Sequence, residues 1–408
     1  MLAVCAAWLV ISPWALGYAD HPLWLSDLIS AVAIVGIGII ARAMRRAWVV
    51  WLTAAVGMWL ILSPIALWAP TAAAYASATL TGTAVVFAGF VLPVSRRGPG
   101  PAVPAGWSYN PSSWSQRVPV IVLTLVSFPP AVYMAAYQLG YIGSMWDPVF
   151  GDGTRRVVTS SVSRAFPVSD AGLGAATYLI DLVMTCAGDA RRWRKMPWLV
   201  SVFGVLIIPV GIVSIVLVIL QPVAVGAWCF WCLITASATL AMVPLAIDEV
   251  AATLQLLRAV RREGRSWTHV LWHGDDTAGV AEPASHRADV PGPPWSLVAI
   301  GAAGLWLMLE PAALGTVGAH AASTTITGAL VIVIAAVAAS EIARPVRLAS
   351  ALLAAWIIAA PWLLSGSTPT SHLADLIAGV VIIPASLFRG PVRQHRASLD
   401  RLALWPAS

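Results

Sequence analysis

Charge is what this sequence has least of. Asp, Glu, Lys and Arg together make up 10% of its 408 residues, and Lys195 is the only lysine. A soluble domain carries roughly a quarter of its residues as charges. With 59% hydrophobic residues and a mean hydropathy of +0.82, this chain cannot be one. Long polar stretches are equally scarce. Uncharged runs of about 18 residues or more recur instead, each long enough to cross ~30 Å of hydrocarbon. The fold class expected is an all-α polytopic membrane protein. The start, Met1-Leu2-Ala3-Val4, lacks the basic n-region of a cleavable signal, so the first apolar run is expected to stay as a transmembrane helix. A pI near 9.5 does not argue for nucleic acid here. The arginines stand in short loops between apolar runs, where they read as topology signals, and no nucleic-acid partner is expected.

Cysteine is scarce too, at four residues. Two of them, Cys229 and Cys232, form a C-x-x-C in Trp228-Cys229-Phe230-Trp231-Cys232-Leu233, at the start of a long apolar run. Thiols one helical turn apart can close into a disulfide and reopen with little backbone movement. Cys5 and Cys186 read as ordinary buried cysteines. No metal site is expected. His269, His273 and His286 fall in a polar segment without a carboxylate or cysteine in ligand register, and read as solvated loop residues.

About twelve spans can be drawn: 1–18, 24–41, 47–68, 72–94, 117–139, 167–187, 197–221, 226–248, 296–314, 321–340, 349–365 and 372–388. Basic residues follow every even-numbered span. They are Arg42, Arg45 and Arg46; Arg96 and Arg97; Arg191, Arg192, Arg194 and Lys195; Arg258, Arg261, Arg262 and Arg265; Arg344 and Arg347; and Arg389, Arg393 and Arg396. This puts both termini in the cytoplasm and the C-x-x-C at the extracytoplasmic face. The 140–166 loop, with Arg155, Arg156 and Arg164, is the one exception.

An internal repeat organises the two ends. Trp8-x4-Pro13 recurs as Trp59-x4-Pro64, Trp306-x4-Pro311 and Trp356-x4-Pro361. A small or acidic residue stands about 14 positions after each proline: Asp27, Thr79 (one place further on), Thr325 and Asp375. Each unit reads as a helical hairpin. The pattern resembles the SPW repeat family, intact as Ser12-Pro13-Trp14 and altered to Ser63-Pro64-Ile65, Glu310-Pro311-Ala312 and Ala360-Pro361-Trp362. That resemblance implies no particular chemistry.

The domains expected are a repeat pair at 1–94, a Pro/Gly linker at 95–116, a four-helix domain at 117–257, a flexible cytoplasmic linker at 258–295, a second repeat pair at 296–390 and a cytoplasmic tail at 391–408. Within the centre, Cys229 and Cys232 open a helix, where unsatisfied backbone N–H groups favour a thiolate. Asp170 stands at the mouth of the second central span, placed to cap it. Asp181 lies inside that span, facing a bundle interior or reaching toward Arg191 or Arg192.

The central layout resembles the vitamin K epoxide reductase family. Three features carry the resemblance, in order: the segment 151–163; the entry Phe166-Pro167-Val168-Ser169-Asp170-Ala171-Gly172-Leu173-Gly174 with Tyr178 beyond it; and Cys229-x-x-Cys232 with Leu233 and Thr235. Phe166 replaces an isoleucine and Ala165 a glycine of the family pattern. The resemblance implies a four-helix bundle with its C-x-x-C beside a pocket for a menaquinone- or ubiquinone-type quinone. It implies that Cys229 exchanges with an incoming thiol and that Cys232 faces the quinone. Trp228, Phe230, Trp231 and Tyr178 are the candidate quinone contacts, and Ser161, Ser163 and Asp170 candidate supporting residues. Many relatives hold a second cysteine pair in the first loop, whereas 140–166 here has none and carries Trp146-Asp147-Pro148-Val149-Phe150. The thiol donor must then be external, a thioredoxin-fold protein or another extracytoplasmic thiol. Two other readings stand beside this enzyme: a membrane scaffold or sensor with a structural or vestigial disulfide, and, more weakly, a transporter built on the repeats, with Asp27, Glu310 and Asp375 as its intramembrane charges.

Overall fold

The computed structural model describes residues 1–44, 48–91, 103–107, 109–275 and 293–390. Among these the chain is helical, with no strand. Twelve principal helices occur where apolar runs were expected. They are α1 (Leu2–Ala15), α2 (Leu23–Met44), α3 (Trp48–Ala66), α4 (Ala72–Val86), α5 (Trp114–Gln138) and α6 (Asp170–Cys186), followed by α7 (Pro197–Leu220), α8 (Phe230–Arg262), α9 (Trp295–Leu314), α10 (Gly318–Val337), α11 (Ala349–Leu363) and α12 (Pro369–Leu387). Nine helical stretches among the described residues are long and apolar enough to cross a membrane; α1 and α3 are shorter apolar helices, and α6 has 17 residues. This is a multi-pass membrane protein.

The chain divides into two compact units. The first comprises Met1–Arg97, Arg117–Asp189 and Ala227–Ala238, and so holds α1 to α6 and the start of α8. Its hairpins pack through small residues. A Cβ at Gly82 in α4 would stand 2.7 Å from the Gly57 carbonyl oxygen and 2.8 Å from the Ile61 nitrogen in α3. Two helices whose side chains are as apolar as the lipid around them gain by close backbone approach, and glycine permits it. The repeat tryptophans tie one hairpin to the other: Trp8 Nε1 donates to Ser77 Oγ (2.9 Å) and Trp59 Nε1 to Ser26 Oγ (2.8 Å). Beneath them Tyr18, buried with Ser12 and Asp27, donates to Asp27 Oδ2 at 2.8 Å and meets Ser12 Oγ at 2.8 Å. Buried Arg117 closes the C-terminal end of α6, donating to the carbonyls of Thr185, Ala187 and Gly188.

The second unit comprises Gly98–Gln116, Ala190–Gly226 and Thr239–Ser408. Its hairpins repeat the glycine crossing, with a Cβ at Gly304 falling 2.8 Å from the Gly328 carbonyl oxygen, and Trp356 Nε1 donating to Ser323 Oγ at 2.9 Å. The two expected linkers differ from flexible connections wherever they are described. In the 95–116 segment Trp107 donates to Gln255 (2.7 Å), Tyr109 to Asp248 (2.5 Å) and Ser112 to Glu249. In the 258–295 segment α8 continues to Arg262, and Ser266 caps a short helix, Trp267–His273. Buried Asp275 pairs with Arg194 (2.9 Å) and Arg265 (2.7 Å). These aromatic and ionic side chains supply the burial that a Gly/Pro-rich or polar composition hides. His286 and the rest of 276–292 lie outside the described residues.

Candidate redox site

The site belongs wholly to the first unit. Cys229 stands at the N-cap of α8, its carbonyl accepting the Leu233 N–H at 3.0 Å. It is disulfide-bonded to Cys232, with Cα atoms 5.3 Å apart. Cys229 Sγ also accepts the N–H of Cys232 at 3.1 Å, the contact that a Ser or Asp side chain makes at an N-cap. Cys229 is fully buried, while Cys232 is half-buried. Met134 of α5 lies against both sulfurs, its Sδ 3.8 Å from Cys229 Sγ and 3.4 Å from Cys232 Sγ.

What covers Cys229 is the 140–166 loop. Buried Asp147 folds it: Oδ1 accepts the N–H groups of Val149 (2.9 Å) and Phe150 (2.7 Å), and Oδ2 accepts from the Thr154 hydroxyl (2.6 Å) and N–H (3.1 Å). Oδ2 also receives the Phe230 N–H at 3.4 Å, joining the loop to the first turn of α8. Burial raises the Asp147 pKa, but the hydrogen bonds from Thr154, Phe150, Val149 and Phe230 outweigh it and hold the carboxyl below its usual range. Gly153 opens the short loop helix Gly153–Val158 against the Trp228 carbonyl, where a Cβ has no room. Val158 packs with Met134 and Cys229.

The expected site residues fall into three groups. Phe230 and Trp231 stack edge to face at 5.0 Å, and Trp231 joins Tyr133 (5.8 Å) and Trp146 (6.0 Å) in an aromatic cluster, its Nε1 donating to the Trp146 carbonyl at 2.8 Å. Trp228 is half-buried and contributes its backbone to the Gly153 contact. Tyr178 is buried two turns into α6, outside the packing around the disulfide. Ser163 and Asp170 act together: Ser163 Oγ donates to Asp170 Oδ1 at 2.9 Å, and Gln138 Nε2 donates to both, at 2.7 and 2.5 Å. Ser169 is the N-cap of α6, accepting the Gly172 N–H at 2.9 Å, and Asp170 Oδ1 accepts the neighbouring Ala171 N–H at 2.8 Å in addition to Ser163 and Gln138. Ser161 is exposed and outside this network. Asp181, expected either to face a bundle interior or to reach toward Arg191 or Arg192, is buried with Oδ1 unpartnered. Sequence reading missed Met134 and Gln138, which carry no signal within an apolar run. It also missed the role of Asp147, whose signal is the Asp-Pro turn pair.

A cleft of about 520 Å³ adjoins this packing and shares Tyr137 and Val158 with it; Trp68, Gln138, Arg164 and Phe166 line it further.

The family model of the vitamin K epoxide reductase family matches residues 118–247, and that of the SPW repeat domain matches residues 1–92 and 294–389. No curated protein and no solved structure matches the chain. The layout of a central domain between repeat segments is the one expected from the sequence. The centre is that of a membrane thiol–disulfide oxidoreductase family.

Proposed function

We propose that this chain, with its vitamin K epoxide reductase family domain set between SPW repeats, oxidises extracytoplasmic thiols and delivers their electrons to a membrane quinone. One observation carries the reading: a C-x-x-C disulfide at a helix N-cap, with the sulfur of Cys229 receiving a backbone N–H. A thiol pair held there ionises readily and closes readily. The quinone supplies an acceptor for two electrons and two protons and leaves as quinol.

The chain's own steps follow. A partner thiolate attacks Cys229 Sγ, breaking the disulfide and leaving Cys232 as the thiolate. The partner's second thiol then displaces Cys229, which leaves as a thiolate held by the Cys232 N–H. The partner departs oxidised and the pair is reduced, with two protons retained. Closure of the pair returns the two electrons to the quinone. Cys232, the more accessible sulfur, is assigned to the quinone side. Phe230 and Trp231 supply ring faces beside it, and the 520 Å³ cleft is of a size to take a head group. The loop over Cys229 must lift for the partner, so access is gated by the Asp147 turn. With no cysteine in that loop, the partner is a separate thioredoxin-fold protein or thiol donor.

The test is two-part. Full-length protein in detergent should reduce a soluble quinone at the expense of a dithiol, and Cys229→Ala and Cys232→Ala should each lower the rate by more than about a hundredfold. In membranes, Cys232→Ala should trap a partner on Cys229 as a mixed disulfide. A rate unchanged in both variants, with nothing trapped, leaves the pair as a structural disulfide and supports the scaffold reading.

A further inference from the structure

Within the second unit, three ionisable side chains from separate helices of the C-terminal repeat pair meet in the interior. Glu310 is near the end of α9, His320 in the first turn of α10 and Asp375 in the second turn of α12. Each is fully buried, at 0% exposure. One ligating atom from each lies within 4.8 Å of the other two. His320 Nε2 is 2.9 Å from Asp375 Oδ2. Apart from the approach of the Glu310 and Asp375 carboxyl groups to each other, both Glu310 oxygens, His320 Nδ1 and Asp375 Oδ1 are buried without a hydrogen-bond partner.

We propose that Glu310, His320 and Asp375 form a binding site for a divalent transition-metal ion. Two carboxylates and an imidazole are a mixed oxygen–nitrogen donor set suited to Zn²⁺ or Mn²⁺, with positions left for water. Two carboxylates carry the charge that one divalent ion cancels, and burying them at membrane depth without a counter-charge is costly. Ligand atoms held about 2 Å from one tetrahedral ion stand roughly 3.3 Å apart; the three here lie within 4.8 Å of one another, with one pair at 2.9 Å.

The N-terminal repeat pair is an internal comparison. Asp27 occupies the position of Asp375, fourteen residues after the motif proline in each. There the neighbours are hydroxyls: Tyr18 donates to Asp27 and meets Ser12. Where Ser12 and Ser63 precede their prolines, Glu310 precedes Pro311. One pair of hairpins therefore surrounds its aspartate with hydrogen-bond donors, and the other surrounds it with metal ligands. His372, half-buried and three residues before Asp375 on the same helix face, meets Ser367 Oγ at 3.1 Å. The expectation of no metal weighed only the histidines of the 258–295 segment, whereas Glu310 and His320 come from different helices and Asp375 from a different hairpin.

Metal content of the purified full-length protein decides the matter. After loading with Zn²⁺ or Mn²⁺ and desalting, wild type should retain one ion per chain by mass spectrometry. Glu310→Gln and His320→Gln should each lower retention by more than about tenfold. Asp27→Asn and the Cys229→Ala/Cys232→Ala double variant should retain it, which excludes binding by the thiols. Loading with Co²⁺ should give a visible ligand-field band in wild type that Glu310→Gln lacks. Glu310→Gln removes a buried charge at constant shape, so it should fold. Its melting temperature should not respond to Zn²⁺, whereas that of wild type should rise. A wild type that retains no ion, or variants that retain as much as wild type, overturns the proposal.

Discussion

Asp147 is the residue on which access to Cys229 turns. It is buried, it gathers hydrogen bonds from the loop it belongs to, and it reaches the first N–H of α8. Removing the charge while keeping the shape weakens these bonds, and charge-assisted hydrogen bonds are worth about 1.5–3 kcal/mol. Asp147→Asn should therefore loosen the loop and raise the rate at which a maleimide labels Cys229 in the reduced protein. The pH dependence follows in sign. A carboxyl whose folded pKa lies below its unfolded value contributes stability that is present above the unfolded pKa and lost as pH falls through the folded one. The loop should hold at neutral pH and protect Cys229 until the pH drops below the ordinary carboxylate range, near 4. Asp147→Asn should abolish that acid transition. Hydrogen exchange of the 147–154 amides between pH 3 and 7 measures it, and an identical profile in both proteins would remove Asp147 from the gate.

At the scale of elements, the hairpins depend on backbone approach, and the helix ends on buried arginines. A Cβ at Gly82 meets backbone atoms of α3 at 2.7 and 2.8 Å, and neither can swing aside. Gly82→Ala should lower stability by about 1–3 kcal/mol, the usual cost of overpacking, and Gly328→Ala should do the same in the second unit. Thermal denaturation in detergent compares them with Gly174→Ala, where a Cβ meets nothing within 4 Å. Arg117 donates to three carbonyls at the end of α6, and Arg192 pairs with Glu249 through Nε and Nη2. Glu249→Gln leaves a buried guanidinium without its counter-charge and should cost about 3–5 kcal/mol, whereas the double replacement Arg192→Met/Glu249→Leu should recover most of that. The sequence made part of this legible. Trp-x4-Pro marks each hairpin, and the residue two places before the tryptophan is the close approach at Gly57, Gly304 and Ala354, with Ala6 in the same place of the first repeat. The ion pairs were not legible. Arg192 and Arg194 read as topology signals because their acids, Glu249 and Asp275, are far away in sequence and only folding brings them together.

For the molecule as a whole, apolar length and spacing made the twelve helices and the C-x-x-C readable, since each is a local property of the chain. The packing over Cys229 was not readable, because it joins α5, the 140–166 loop and α8. Membrane orientation rests on counting. Between Ser161, in the loop beside the redox pair, and Glu263, beyond the end of α8, the chain passes through α6, α7 and α8. The proposed topology takes each as one crossing, which would set the two residues on opposite sides, with Glu263 in the cytoplasm by the positive-inside rule. Part of that charge is already neutralised, since Arg192 and Arg194 sit in buried ion pairs, so orientation leans on the remaining basic loops. Ser161 and Glu263 are both exposed, and cysteine introduced at either should react without disturbing the fold. In a background lacking Cys5 and Cys186, a membrane-impermeant maleimide applied to intact cells should label Ser161→Cys and spare Glu263→Cys until the membrane is opened. The reverse pattern would put the disulfide on the cytoplasmic side, where thiols are kept reduced and an extracytoplasmic donor has no access. The proposed direction of electron flow depends on that one result more than on any distance within the site.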